Sequence, residues 1–212
     1  TLQRFFAWLG RRRARAIHVV CCDMWRPYLA VLREEVPHAT VVFDRFHLTQ
    51  HATAAVDTVR RQMWRQLAEA EKPDFKRTRF LWLKNPANLR REERTRLSGL
   101  LQLNAPIVKA YLLKEDLRRF WAYRYSAWAA GHLRQWLWRA SHSRLEPFKK
   151  LAQTIRTHRE GILAWTKLRV TNGALEGMNN KVKAISHRAF GFRTTWTYIA
   201  NIYHCCAELP LP

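Results

Sequence analysis

Acidic residues are scarce in this sequence: 16 aspartates and glutamates face 38 lysines and arginines, and the formal charge of +22 is spread along all 212 residues. An excess not confined to a tail points to a polyanionic partner. Glycine is also sparse, at seven residues, while 48% of the chain is apolar and 12% aromatic. Such a chain can bury a core as one domain, or as a domain with an insertion, which argues against disorder. Long apolar runs are missing. No stretch approaches the roughly 18 uninterrupted apolar residues of a bilayer span, so a soluble, cytoplasmic protein with no membrane partner is expected. Cysteine is limited to two adjacent pairs, Cys21-Cys22 and Cys205-Cys206. Neighbours in a strand point to opposite faces, so neither pair suits a single zinc ion, and reduced thiols are the expectation. No signal peptide is recognisable, and Thr1 already opens an amphipathic helical pattern, so the true N-terminus is expected upstream.

The opening TLQRFFAWLG sets Leu2, Phe5, Phe6 and Leu9 at helical spacing with Gly10 as a C-cap, and RRRAR behind it reads as a basic turn. AIHVVCC, residues 16–22, is long enough for a buried strand and too short for a buried helix. It stops at Asp23. Pro27 suits the first turn of a helix carrying Tyr28, Leu29, Val31 and Leu32, which ends near Val36 and Pro37. ATVVF, residues 39–43, is a second strand that stops at Asp44. Two strands joined by a helical crossover are most simply parallel neighbours, connected right-handedly, so their C-terminal ends share one edge. Asp23 and Asp44 lie just beyond it, where open α/β sheets place their sites. Each could instead cap the helix that follows.

From about residue 46 to 165 the pattern is helical almost throughout, punctuated by Pro73, Pro86, Pro106 and Pro147. Seven of the ten tryptophans fall here, interleaved with arginine. Stacking on bases is one reading of that pattern; filling a core, the commoner fate of large aromatics at helical spacing, is the expectation. No internal repeat or low-complexity linker is found, so the chain reads as a sheet region with a helical insertion.

Glu176 is the only acidic residue between Gly161 and Ala207, a span with six lysines and arginines. With Thr171 or Asn172 as cap, a helix from about Gly173 carries Leu175, Met178, Val182, Ile185 and Ala189 as a buried stripe. Glu176, Asn180, Lys183 and His187 then line an adjacent polar face. Glu176 could simply offset the helix dipole. In combination with a carboxylate after a parallel strand and a strongly basic chain, it suits metal-assisted phosphoryl transfer, since hard oxygen ligands are what magnesium prefers.

DMWRPY at residues 23–28, FDRFHL at 43–48 and the long, specific RVTNGALEGMNNKVKAISHRAFGFR at 169–193 together resemble the DDE transposases of bacterial insertion sequences, most closely the ISL-three branch. The likeness covers nearly the whole chain. It implies an α/β class, a partial ribonuclease-H-like fold with a large all-α insertion. Residues 1–48 would be the partial sheet region, 49–168 the insertion, and 169–212 the C-terminal helices. In the family one aspartate lies on the first strand, a second after the fourth, and a glutamate on a helix beyond the insertion. Carried over by position, Asp23 matches the second aspartate and Glu176 the glutamate, which makes them the implied catalytic and metal-binding residues. The first aspartate has no counterpart here. It is expected upstream, with the zinc-binding and helix-turn-helix modules of such enzymes, so the chain alone should show weak or no strand transfer.

Asp44 rivals Asp23, but the family's strand order sets the missing first strand beside the strand that ends at Asp23. Asp44 and His47 resemble an aspartate-x-x-histidine turn that supports the site or contacts DNA; His47 could equally be a structural histidine at a helix start. Arg45, Asn172, Asn179, Asn180, Lys181, Lys183, Arg188 and Arg193 are implied DNA contacts, with a purely capping role the alternative for Asn172. The resemblance further implies two Mg2+ or Mn2+ ions in the complete enzyme, transposon ends and target DNA as partners, a homodimer or larger assembly, and a place at the bacterial nucleoid. Two other readings stay open: a non-catalytic basic helical DNA-binding protein, and a structure-specific nuclease on the same sheet.

Overall fold

The structure, a computed structural model, describes residues 1–103 and 105–206 and divides into two compact units, Thr1–Val170 and Thr171–Pro212. In the first, α1 (Leu2–Leu9) leads through Gly10, at φ 77°, into a one-turn helix, α2 (Arg11–Ala14). RRRAR is therefore coiled and not a plain turn, because the N–H groups of Ala14 and Arg15 reach back to the carbonyls of Gly10 and Arg11. Ala16 and Ile17 continue that winding by bonding to Arg13 and Ala14, which delays the first strand. Strand β1 accordingly spans Val19–Cys22 and not 16–22.

Pro27 sits in the first turn of α3 (Arg26–Glu35), which ends at Val36, and β2 follows as Thr40–Phe43. The strands pair in parallel, Val19 opposite Thr40 and Cys22 opposite Phe43. The α3 crossover permits this geometry, and the two C-terminal ends meet at one edge.

The remainder of the unit is helical: α4 (Arg45–Gln66), α5 (Lys72–Phe75), α6 (Arg79–Leu83), α7 (Arg91–Leu100), α8 (Pro106–Arg119), α9 (Ser126–Ser141), α10 (Glu146–Thr157) and α11 (Arg159–Leu168). The long α4 is its axis, packing against α6, α8 and α10, while α9 lies against α8, α10 and α11. Of the seven tryptophans in this block, Trp82, Trp121, Trp136 and Trp165 are buried, as expected of core fillers. Two of their indole N–H groups find acceptors, Trp82 at Thr78 Oγ1 and Trp136 at the Leu113 carbonyl. Trp64 is half-buried, and Trp128 and Trp138 depart from the expectation by being exposed. No described helix is long and apolar enough to cross a membrane.

Strand β2 is covered by α11 at unusually close range. A Cβ added to Gly161 would lie 2.5 Å from the Phe43 ring and 2.9 Å from the Val41 carbonyl oxygen. Only hydrogen fits there. His158, three residues earlier at the N-cap of α11, meets the Phe43 ring edge-on at 5.0 Å.

The second unit is a hairpin of α12 (Gly173–Arg188) and α13 (Thr195–Cys206). Helix α12 ends in a Schellman motif: Phe190 N–H bonds to His187 O and Gly191 N–H to Ser186 O, with Phe190 at φ 50° and Gly191 at φ 105°. The stripe expected to be buried is not: Leu175 and Met178 are 60% and 41% exposed, Ala189 is exposed, and Val182 and Ile185 are half-buried. Two helices alone have too little surface to cover a whole apolar face.

Gly161→Ala should lower the unfolding free energy by about 1–3 kcal/mol through overpacking against Phe43, despite alanine's better helix propensity. In contrast, Gly99→Ala, where an added Cβ meets nothing within 4 Å, should raise it by up to about 1 kcal/mol. Paired urea denaturation curves check both.

Candidate active site

Strand β1 delivers Asp23 to the shared edge, and the parallel register brings it to the start of α4. Its Oδ1 accepts the Met24 N–H at 2.6 Å, and its Oδ2 lies 3.9 Å from His47 Nδ1. The carboxylate is thus oriented by its own backbone and faced by an imidazole from the first turn of α4. It remains 43% exposed. Asp44 behaves differently, because it directly precedes a helix. It is 5% exposed, and its Oδ1 accepts the Phe46 N–H at 2.9 Å as the N-cap of α4. Capping therefore describes Asp44 and not Asp23. Arg45 is exposed beside it.

The edge is an electronegative place for thiols. Burial and then the Asp44 charge push the Cys21 thiol up to about 11; burial, then Cys21 and Asp23, do the same to Cys22. Both stay protonated near neutral pH, and all four cysteines are free. Protonated thiols do not compete for a hard cation, whereas Asp23 offers it a partly open oxygen ligand. Among the described residues no group of three or more histidine, cysteine, aspartate or glutamate side chains gathers to hold a metal. The edge fits one carboxylate ligand of such an ion.

On the second unit, Asn172 stands at the N-cap of α12, and the Thr171 hydroxyl accepts the Gly173 N–H at 3.3 Å. Glu176 falls in the first turn, with its N–H on the Asn172 carbonyl at 2.8 Å and its side chain exposed. Asn180, Lys183 and His187 are exposed along the same polar face. Asn179, Lys181 and Arg188 are also exposed on α12, and Arg193 is exposed in the connection to α13. The structure thus gathers Asp23, Asp44, Arg45 and His47 at the sheet edge, and sets the remaining site candidates on the hairpin.

Sequence reasoning missed an aromatic group beside Asp23. Trp25 and Tyr28 are 54% and 39% exposed and meet edge-on at 4.7 Å, and Phe46 is 45% exposed next to His47. A signal was available: Pro27 fixes the start of α3, which leaves Trp25 at its N-cap and off the buried stripe.

The two aspartates should separate in a stability measurement. Asp44→Ala removes a buried cap and is expected to cost about 1–2 kcal/mol. Asp23→Ala, at a partly exposed side chain, should cost under about 0.5 kcal/mol. Thermal melts followed by circular dichroism would show the difference, and equal losses would overturn the distinction.

Comparison with known proteins places this edge in a context. A family model described as transposase, of the ISL3 type, matches residues 1–202. The transposase for insertion sequence element IS1001 of Bordetella parapertussis is 33% identical over 197 residues, covering 91% of this chain and 48% of that protein. The transposase for IS1557 of Mycobacterium tuberculosis (strain CDC 1551 / Oshkosh) is 31% identical over 224 residues, covering 94% of this chain and 50% of the relative. The chain spans about half the length of these curated relatives. No solved structure matches it. With the family match running from the first residue through β1, β2 and both helices of the hairpin, the chain belongs to the ISL3 family of transposases.

Proposed function

We propose that this chain is the C-terminal part of a catalytic domain that cuts transposon ends and joins them to target DNA by metal-dependent, in-line phosphoryl transfer. The observation that carries the reading is Asp23: a carboxylate at the C-terminal end of a parallel strand, oriented by the Met24 N–H and still 43% exposed. The proposed frame is ribonuclease-H-like, with residues 1–48 in the sheet region, 49–168 as the helical insertion and 169–212 as closing helices. Among the described residues β1 pairs only with β2, so its other edge can accept a strand carrying the family's first aspartate.

Asp23 and Glu176 are the proposed metal-holding carboxylates. Magnesium or manganese ions held by these carboxylates, two in the complete enzyme, would supply activation of the attacking hydroxyl and charge neutralisation at the leaving oxygen. His47 orients Asp23 through the 3.9 Å contact and, when protonated, offsets its charge. Asp44 supports the site by fixing the first turn of α4, which carries His47. Arg45, Asn179, Asn180, Lys181, Lys183, Arg188 and Arg193 meet phosphates, so binding should be steeply salt-dependent and carry little base readout. Base-specific recognition then falls to upstream zinc-binding and helix-turn-helix modules, and a dimer or larger assembly pairs the two ends.

The test uses the full-length transposase. Asp23→Asn and Glu176→Gln should each reduce magnesium-dependent cleavage of a transposon-end substrate by about a thousandfold, roughly 4 kcal/mol of barrier, with end binding within about threefold of wild type. Cleavage that survives both substitutions would falsify the assignment. Wild-type products that are hydrolysed and never joined to target DNA would favour the nuclease reading.

A further inference from the structure

Two of the tryptophans that the core does not absorb share one face of α9. On α9, Trp128 and Trp138 are 70% and 64% exposed, while Ala129, Leu133, Trp136, Leu137 and Ala140 of the same helix are buried. Ten residues of helix separate the two indoles by about 15 Å along the axis and by about 80° around it. Gly131 and Gln135 lie between them, and a Cβ added to Gly131 would meet nothing within 4 Å, so the surface between the rings is open. Tyr125, 73% exposed, flanks the stripe at its N-terminal end.

Leaving aromatic faces in water forgoes about 25 cal/mol for each Å² that burial would have removed, so two such residues on one face mark a binding surface more than a packing accident. The setting identifies the occupant. Between Asp116 and Glu146 the sequence holds six arginines and no carboxylate, and Arg124, Arg134 and Arg139 all lie exposed on or beside this face. Arg139 is held in place by Asp116 at 3.2 Å and by Gln135. A second copy of the chain seated here would set arginines against arginines, which costs several kcal/mol. A polyanion would not.

One ring is already built into a platform. His142 stacks on Trp138 with centroids 4.7 Å apart and planes 29° apart, and its Nδ1 donates to the Trp138 carbonyl at 2.8 Å. Flat, exposed aromatic rings flanked by arginine are the means by which proteins hold bases whose faces are free. Bases inside an intact duplex hide those faces in the stack. We infer that the exposed face of α9 binds unpaired DNA, with Trp128 and the Trp138–His142 pair stacking on bases and the surrounding arginines holding phosphates. This rests on DNA as the family's partner and is independent of the carboxylate assignment.

Fluorescence anisotropy with the 212-residue chain tests it, using labelled oligothymidine of about 16 nucleotides against a duplex of equal length. Trp128→Ala and Trp138→Ala should each weaken single-strand binding about tenfold, leave duplex binding within about twofold, and leave the salt dependence unchanged. Trp→Phe at either position should restore most of the loss. Arg134→Gln should weaken both DNAs and reduce the log–log salt slope by about one. Because both indoles are exposed, thermal melts of the alanine variants should match the parent. Single-strand affinity within twofold of the parent, or equal losses on both DNAs, overturns the proposal. So does a change confined to self-association in sedimentation, which would make the face an interface between copies. Asp23→Asn should leave the stacking intact, so the two readings fail separately.

Discussion

Everything at the sheet edge depends on the pairing of two four-residue strands, and that pairing depends on how closely α11 sits upon β2. A two-stranded parallel sheet is marginal by itself. Here the missing side chain at Gly161 lets the helix backbone approach the Phe43 ring and the Val41 carbonyl to distances no other residue allows. Phe43 and Val42 are thereby buried, with 5% and 0% exposure, and the register that aligns Cys22 with Phe43 is pinned from one face. Slippage by one residue would send Val42 to the opposite face and separate Asp23 from His47.

Charge is organised around the same frame. With 38 basic residues and 16 acidic ones, the partly buried carboxylates of the helical block act as hubs. Asp57 meets Arg60, Arg61 and Arg79; Glu115 meets Lys114 and Arg118; Asp116 meets Arg139 and His132. Lys114 is buried and donates to the carbonyls of Trp82 and Lys84, so it ties α8 to α6 and its termination. Its desolvation holds the ammonium below the usual lysine range, opposed by Glu115. Asp23 stands apart, because the group facing it is a histidine and not a lysine or arginine.

Much of this was legible in the sequence, where period and punctuation agreed. The apolar run ending at Asp23, Pro27 in the first turn of α3, the second run ending at Asp44 and the cap before Gly173 all fell where structure placed them. What was not legible depended on tertiary neighbours. The β1 start moved from residue 16 to Val19 because Ala16 and Ile17 complete the winding of α2, a local bond choice that β-propensity does not record. Helical spacing could not tell buried Trp136 from exposed Trp138, since both sit on α9 two residues apart and only the packing of α8 and α10 decides which face is covered. The stripe on α12 failed for the same reason: a period of 3.6 says which residues share a face, not whether anything lies against it.

The unlike fates of Asp23 and Asp44 show how a small difference in spacing becomes a difference in chemistry. Both follow a strand that ends at the same edge. Asp44 is immediately followed by Arg45, the first residue of α4, so its side chain falls within reach of the free N–H groups of that helix and is drawn down onto Phe46. Helix α3 starts at Arg26, with Pro27 setting its first turn and Trp25 at its N-cap, which leaves Asp23 two positions too early to cap it. The Met24 N–H takes one oxygen of Asp23, and the other is left facing His47 and solvent. A buried capping carboxylate can take up a cation only by giving up its helix, at a cost of about 1 kcal/mol or more. Asp23 needs to break nothing. The two residues between Asp23 and α3, absent between Asp44 and α4, thus leave Asp23 with an oxygen open to a cation and make Asp44 a structural cap.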